Sequence, residues 1–339
     1  MPQKVNRRWI CTDIWMDTLP FFGRPQLGLK MALLSPRFDV LVDAHFDGTS
    51  ELPMLRQITI RKHIGMPKLF VDGKFEGFPL PKYPLPNKIC FSRLEIEYID
   101  HAVITFLRSN QQFFDGRGTV FAFAIFSHKN KHLQPLWNAF ISEVWPIFAP
   151  NICHLILPNG DHLDDLRHFI SPTILCDLNE LIYINSSADL FPDGIGDDGP
   201  NATSAQALFK WLHTPRNDGQ PKGFRCIGFN DPSSNMDEWF NYFKKEFLRA
   251  NTSSVVTYNI SFLHNAPTPI VPFELVNERA QQKLTLEKER DFTFPNRWRI
   301  MRCPIGKTAV VQQRKGTKSD NLNGVSFSLR GDKDSIGPL

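Results

Sequence analysis

From residue 91 onward, short runs of β-type residues alternate with stretches of 3.6-residue apolar period, and this alternation confines the chain to the α/β class. The β-like runs are Phe91–Ile96, Thr119–Phe126, Ile152–Leu157, Asn179–Ile184, Phe224–Phe229 and Val255–Phe262. Between most of them lies an amphipathic helix. Leu133, Leu136, Trp137, Phe140, Ile141, Val144 and Phe148 share one face; Leu163, Leu166, Phe169 and Ile170 share a second; Ala205, Leu208, Trp211 and Leu212 share a third. The best pattern is Met236, Trp239, Phe240, Phe243, Phe247 and Leu248, with Lys244, Lys245 and Arg249 opposite or flanking it. Such alternation predicts a parallel sheet with strands buried on both faces.

The units are uneven in length, and two layouts fit them. One is an irregular α/β repeat similar to leucine-rich repeats, the other an open doubly wound sheet. The repeat is favoured because no strand end carries a nucleotide-type loop. Val271–Asn277, Lys283–Lys288 and Arg297–Cys303 are read as a short antiparallel portion closing a recognition domain over 91–305. The polar, glycine-containing stretch 306–339 is expected to be a mostly disordered tail. Residues 47–90, rich in Pro and Gly, read as a linker with short strands near Gln57–Ile60 and Lys68–Val71.

Residues 1–46 differ in kind. Asp13 is placed as the cap of a helix through Phe22 that carries Ile14, Trp15 and Leu19. Pro25 suits the first turn of a second helix bearing Leu27, Met31 and Leu34, and Ser35-Pro36 caps and starts a third, with Phe38 and Leu41 along it. Three short helices bury little by themselves, so such a unit needs a partner surface or the following domain.

Composition excludes several function classes. The 39 basic and 35 acidic residues leave a net charge of +4, too weak a field to favour nucleic acid or an anionic membrane. No apolar run approaches the length of a membrane span. The six cysteines form no CxxC pair, and nothing in Met1–Cys11 reads as a signal peptide, so an intracellular protein, cytoplasmic or nuclear, is expected. The densest polar cluster, His154, Asp161, His162, Asp164, Asp165 and His168, lacks metal-ligand spacing: His162 and His168 do not share a helical face. The loop Pro192–Pro200 has Ile195 and Ser204 where a calcium loop needs ligands. GxxxxGK[ST] and GxSxG are absent. No enzyme, no cofactor and no metal site is expected. Exposed recognition is assigned to the loops Pro192–Pro200 and Thr214–Gly223.

The stretch Asp13–Phe46, DIWMDTLPFFGRPQLGLKMALLSPRFDVLVDAHF, resembles an F-box of the divergent type found in large nematode F-box-like families. Leu19, Phe22, Pro25 and Leu27 match its first half in order, and Leu33, Leu34, Ser35, Arg37, Phe38 and Leu41 match its second. Cys11 stands where that pattern has Pro, and Phe38 where Trp is commoner. Phe273–Glu289 and Asn296–Ile305 are also similar to the closing portion of these proteins. The resemblance implies a substrate adaptor of a cullin–RING ubiquitin ligase. Its F-box would dock a Skp-type linker protein through Ile14, Leu19, Pro20, Phe22, Pro25, Leu27, Leu34, Phe38 and Leu41, and its C-terminal domain would hold a target protein. The alternative is a ligase-independent, solenoid-like binding protein whose N-terminal helices cap its own fold.

Overall fold

The computed structural model describes residues 10–47, 54–71, 77–81, 84–85, 90–114, 119–125, 134–187, 190–192, 194–227, 236–251, 256–264, 269–289, 295–306 and 323–329. The chain divides into two compact units, 1–115 with 332–339, and 116–331. The boundary lies some way inside the expected 91–305 domain.

The first unit opens with helices. α1 (Thr12–Thr18) runs into a 3₁₀ turn at Leu19–Phe21; α2 (Arg24–Gln26) continues through a π-turn (Leu27–Met31) and a 3₁₀ turn (Ala32–Leu34); α3 spans Pro36–Asp47. α1 stops where Pro20 cannot supply a helical N–H, so the helix expected to reach Phe22 ends at Thr18. Asp13 falls inside its first turn, and the capping position is Cys11, which offers no side-chain bond. Ser35 is extended and its Oγ accepts from the Phe38 N–H at 3.4 Å, so Ser35-Pro36 starts α3 as the sequence indicates.

The region read as a linker with short strands is a hairpin: β1 (Met54–His63) pairs antiparallel with β2 (Met66–Val71), which pairs with β3 (Phe78–Pro79). Ile64 and Gly65 both have positive φ, 50° and 80°, as a type I′ turn needs to match the strand twist. On its other side β1 pairs parallel with β4 (Cys90–Ile96), which leads to α4 (His101–Ser109). Asp100 caps α4 by accepting the Val103 N–H at 2.9 Å.

The second unit is a mostly parallel sheet with one antiparallel end. Its parallel strands are β5 (Thr119–Ile125), β6 (Ile152–Leu157), β7 (Tyr183–Ser187), β8 (Lys222–Ile227) and β9 (Tyr258–Leu263), adjacent in the order in which they occur in the chain. β10 (Phe273–Asn277), β11 (Gln282–Lys288) and β12 (Arg297–Pro304) extend the β9 side, β12 pairing antiparallel with β9. β13 (Asn323–Leu329) pairs parallel with β5, so part of the tail expected to be disordered completes the sheet. The intervening helices are α5 (Gln134–Ala139), joined by a π-turn to α6 (Trp145–Phe148), then α7 (Asp161–Phe169), α8 (Ile174–Asp177), α9 (Ser204–His213) and α10 (Met236–Arg249). Strand β7 begins at Tyr183 rather than at Asn179 because α8 and the turn after it occupy the preceding residues.

Sheet register decides the layering. Phe121, Leu155, Ile184, Phe224 and Ile260 form one row across β5–β9. The rings on this side meet helices: Phe121 lies 5.8 Å from Trp145 and 5.7 Å from Phe148, and Phe123 lies 5.6 Å from Trp137 and 5.9 Å from His162. On β9, Tyr258 lies 6.0 Å from Phe243 and Phe262 lies 6.5 Å from Phe240. The long helices thus stack on one face. Parallel strands added always to the same side require it, since right-handed crossovers then all fall on that face. The expectation of strands buried on both faces fails for this reason: in β6, Leu155 and Leu157 are buried while His154 and Ile156 are only half-buried.

Candidate functional site

Two surfaces carry exposed or unpartnered chemistry. The first is the outer side of the N-terminal helices. Leu19, Leu27, Ala32, Leu41, Val42 and Phe46 form a small core of their own, with Trp15, Met16, Met31 and Phe38 packed against it. Trp15 meets Phe38 edge to face at 4.8 Å. Of the predicted docking residues, Leu19, Pro25, Leu27 and Leu41 are therefore buried and Phe38 is half-buried. Ile14, Pro20, Phe22 and Leu34 are exposed. Two outward residues escaped the sequence reading: Phe21, 87% exposed, and Val40, 67% exposed. Pro20 was the available signal for Phe21, since ending α1 before it turns Phe21 off the helical face assumed for Phe22. Leu34 is 64% exposed and Ile14 56%, so several large apolar side chains of this short segment face outward. Arg37 ties the segment's start to α3 by donating from Nη2 to the Ile10 carbonyl at 2.9 Å.

The second surface is the sheet face opposite the helices. There the register aligns Ala122, Ile156, Asn185, Arg225, Ser261, Arg299 and Glu287, and beside them Val120, His154, Tyr183, Gly223, Asn259, Met301 and Thr285; Ser261, Met301 and Thr285 are buried, Met301 in a small core with Cys303, while Asn185 and Arg225 are half-buried. Adjacent side chains in a row stand about 4.8 Å apart. Arg299 is paired: its Nη2 donates to Glu287 at 2.7 Å and its Nε lies 3.5 Å from Glu289, which is also 3.9 Å from Arg297. Arg225, half-buried, has no hydrogen-bond or ion-pair partner among the described residues, and neither do the side chains of its neighbours Asn185 and Ser261. The Asn259 Oδ1 is shielded from solvent and likewise accepts no hydrogen bond.

Lys222, His213 and Arg302 have structural roles. Lys222 is buried and donates to the carbonyls of Trp211 and Thr214, the latter at 2.6 Å, so it satisfies the C-terminal end of α9. Burial lowers its pKa to about 8. His213 packs at 4.1 Å on Phe209 and 5.1 Å from Tyr258; its Nδ1 lies 2.8 Å from the Phe209 carbonyl, and its Nε2 is shielded from solvent without a partner among the described residues. Burial lowers its pKa to about 3. Buried Arg302 donates from Nε and Nη2 to the Gln282 Oε1 at 3.0 and 2.7 Å.

In the acidic and histidine-rich segment, His162 is buried with its Nδ1 accepting from the Asn159 N–H at 3.2 Å, and Asp164 accepts from Ser204 Oγ. Asp161 and Asp164 occupy the first turn of α7, where their charge favours the helix dipole. Among the described residues, no group of three His, Cys, Asp or Glu side chains is placed to hold a metal ion. In the loops expected to carry recognition, Arg167 donates to the carbonyls of Gly199 and Ala202 at 3.0 and 2.6 Å, Asp198 pairs with Lys210 at 2.6 Å, and Arg216 pairs with Asp218 at 2.6 Å, while Ile195 is 74% exposed. No helix among the described residues is long and apolar enough to cross a membrane. Comparison with family models, curated proteins and solved structures returns no match to this chain.

Proposed function

We propose that this protein is a non-enzymatic, intracellular substrate adaptor of a cullin–RING ubiquitin ligase. In this reading residues 1–46 dock a Skp-type linker protein as an F-box-like module, and the α/β unit holds a target protein. The observation that carries it is the division of labour within the N-terminal helices. Leu19, Leu27 and Leu41 close a small core, while Phe21, Leu34, Val40 and Ile14 stay outward with no described cover. Large apolar side chains exposed on so short a segment gain burial only from a partner. In the second unit, consecutive strand order and one-sided helices suit a leucine-rich-repeat-like layout, which leaves a sheet face for recognition.

The test is co-purification of the intact chain with a purified Skp-type linker protein. Wild type binds, and the pair Phe21→Asp with Leu34→Asp abolishes binding, because carboxylates carried into an apolar groove lose several kcal/mol. Both side chains are exposed, so the variant keeps the wild-type melting profile. Undiminished binding by the variant, or none by wild type, would discard the docking role and leave the helices as a cap of the protein's own fold.

A further inference from the structure

We infer that the sheet face of the second unit opposite its described helices binds an extended segment of its target through one acidic side chain, with Arg225 as the countercharge. The inference rests on reading this unit as the target-holding part and is independent of the N-terminal docking.

Arg225 sits near the middle of the parallel strands, on β8, with Asn185 of β7 on one side and Ser261 of β9 on the other. These three side chains and Asn259 lie on adjoining register positions, and none has a hydrogen-bond partner among the described residues. Contiguous unpartnered polar groups are uncommon in a folded protein, and a half-buried guanidinium keeps five donors to satisfy. The nearby arginines are already answered: Arg299 has Glu287 and Glu289, and Arg297 has Glu289. Among the described residues, Arg225 is thus the unneutralised cation of this part of the face.

The ligand's chemistry follows from what surrounds it. A planar guanidinium takes a carboxylate in a two-bond fork, and Asn185 and Ser261 add neutral donors beside it. A phosphate carries nearly twice the charge and is met by clusters of arginine, whereas here one guanidinium stands among neutral groups. Gly223 lies in the row between Tyr183 and Asn259 and has no side chain to hold a partner's backbone away. An extended peptide with an Asp or Glu over Arg225 answers Arg225, Asn185 and Ser261 together.

The experiment is selection of random twelve-residue peptides displayed on phage against the intact chain, followed by fluorescence anisotropy with labelled winners. The selected peptides are expected to share one Asp or Glu at a fixed position. Arg225→Gln should bind them about tenfold or more weakly, the loss expected for a charge-assisted hydrogen-bond pair. Asn185→Asp places a carboxylate beside Arg225 as an internal competitor and should weaken binding comparably while Arg225 is retained. Melting curves for both variants, unchanged from wild type, exclude unfolding as the cause. Selection without acidic enrichment, equal affinity for Arg225→Gln, or stronger binding when phosphoserine replaces the acid would each overturn the assignment. None of those results would alter capture of the Skp-type linker, which the adaptor reading stands or falls on.

Discussion

The N-terminal helices and the α/β unit are both rich in large apolar side chains, yet they dispose of them in opposite ways. In the second unit Trp137, Trp211, Phe121, Phe123, Phe140, Phe148, Phe209, Phe224, Phe243 and Phe247 are fully buried. In the N-terminal segment Phe21, Leu34, Val40 and Ile14 remain outside a core of comparable chemistry. The difference is one of geometry. A sheet with helices along one face offers a continuous layer in which every ring finds several neighbours. Three short helices have too much surface for their volume, so a fraction of their apolar side chains has nowhere internal to go. The contrast teaches that an apolar residue's role here follows from the size of the body it belongs to more than from its own hydrophobicity.

The contrast can be broken most forcefully at Trp137, which stacks at 4.2 Å on Phe169 and packs against Phe123 and Phe140. Trp137→Ala should destabilise the second unit by about 4 kcal/mol, through lost transfer energy and the cavity left behind. A denaturant melt followed by tryptophan fluorescence would measure it, and a loss under about 1 kcal/mol would show a loosely packed layer. Leu27→Ala should lower the stability of the N-terminal helices by roughly 3 kcal/mol. Hydrogen exchange would show amides of residues 12–47 losing protection, while those of β5–β9 keep theirs. Coincident loss in both would mean that the two regions unfold as one.

His213 supplies a smaller, pH-dependent effect confined to the second unit. Its pKa falls from 6.5 to about 3 on folding, chiefly by burial, with Arg302 and Lys222 adding repulsion. The unfolded chain therefore binds a proton that the folded one refuses. The stabilisation is fully present above pH 6.5 and is lost progressively as the pH falls toward 3, by up to about 1.4 kcal/mol per pH unit. Melting temperatures between pH 7 and 4 should fall for wild type, and His213→Gln should flatten part of that slope. An identical slope in the variant would move the effect to other groups.

Phe21→Ser is the smallest expected change. A side chain 87% exposed should move stability by less than about 0.5 kcal/mol. A larger loss in a thermal melt would mean that Phe21 is already covered within the chain, and the comparison between the two regions would narrow.

The sequence by itself determined the element types. Helical spacing from Leu136 to Phe148 and from Met236 to Leu248, the β-type runs between such helices, and Ser35-Pro36 at the start of a helix all reappear as local structure. Period and capping are properties of neighbouring residues, so they are legible without the fold. Tertiary structure alone decided the rest. Which face of Ile152–Leu157 meets helices depends on the order in which strands are added, and that order is a choice among pairings distant in sequence. The strand at Asn323–Leu329 owes its extended form to pairing with Thr119–Ile125, just over two hundred residues earlier. In the sequence, Arg225 is one charge within the run Phe224–Phe229. Only register set it between Asn185 and Ser261, because the neighbours of a side chain on a parallel sheet come from other strands and not from its own.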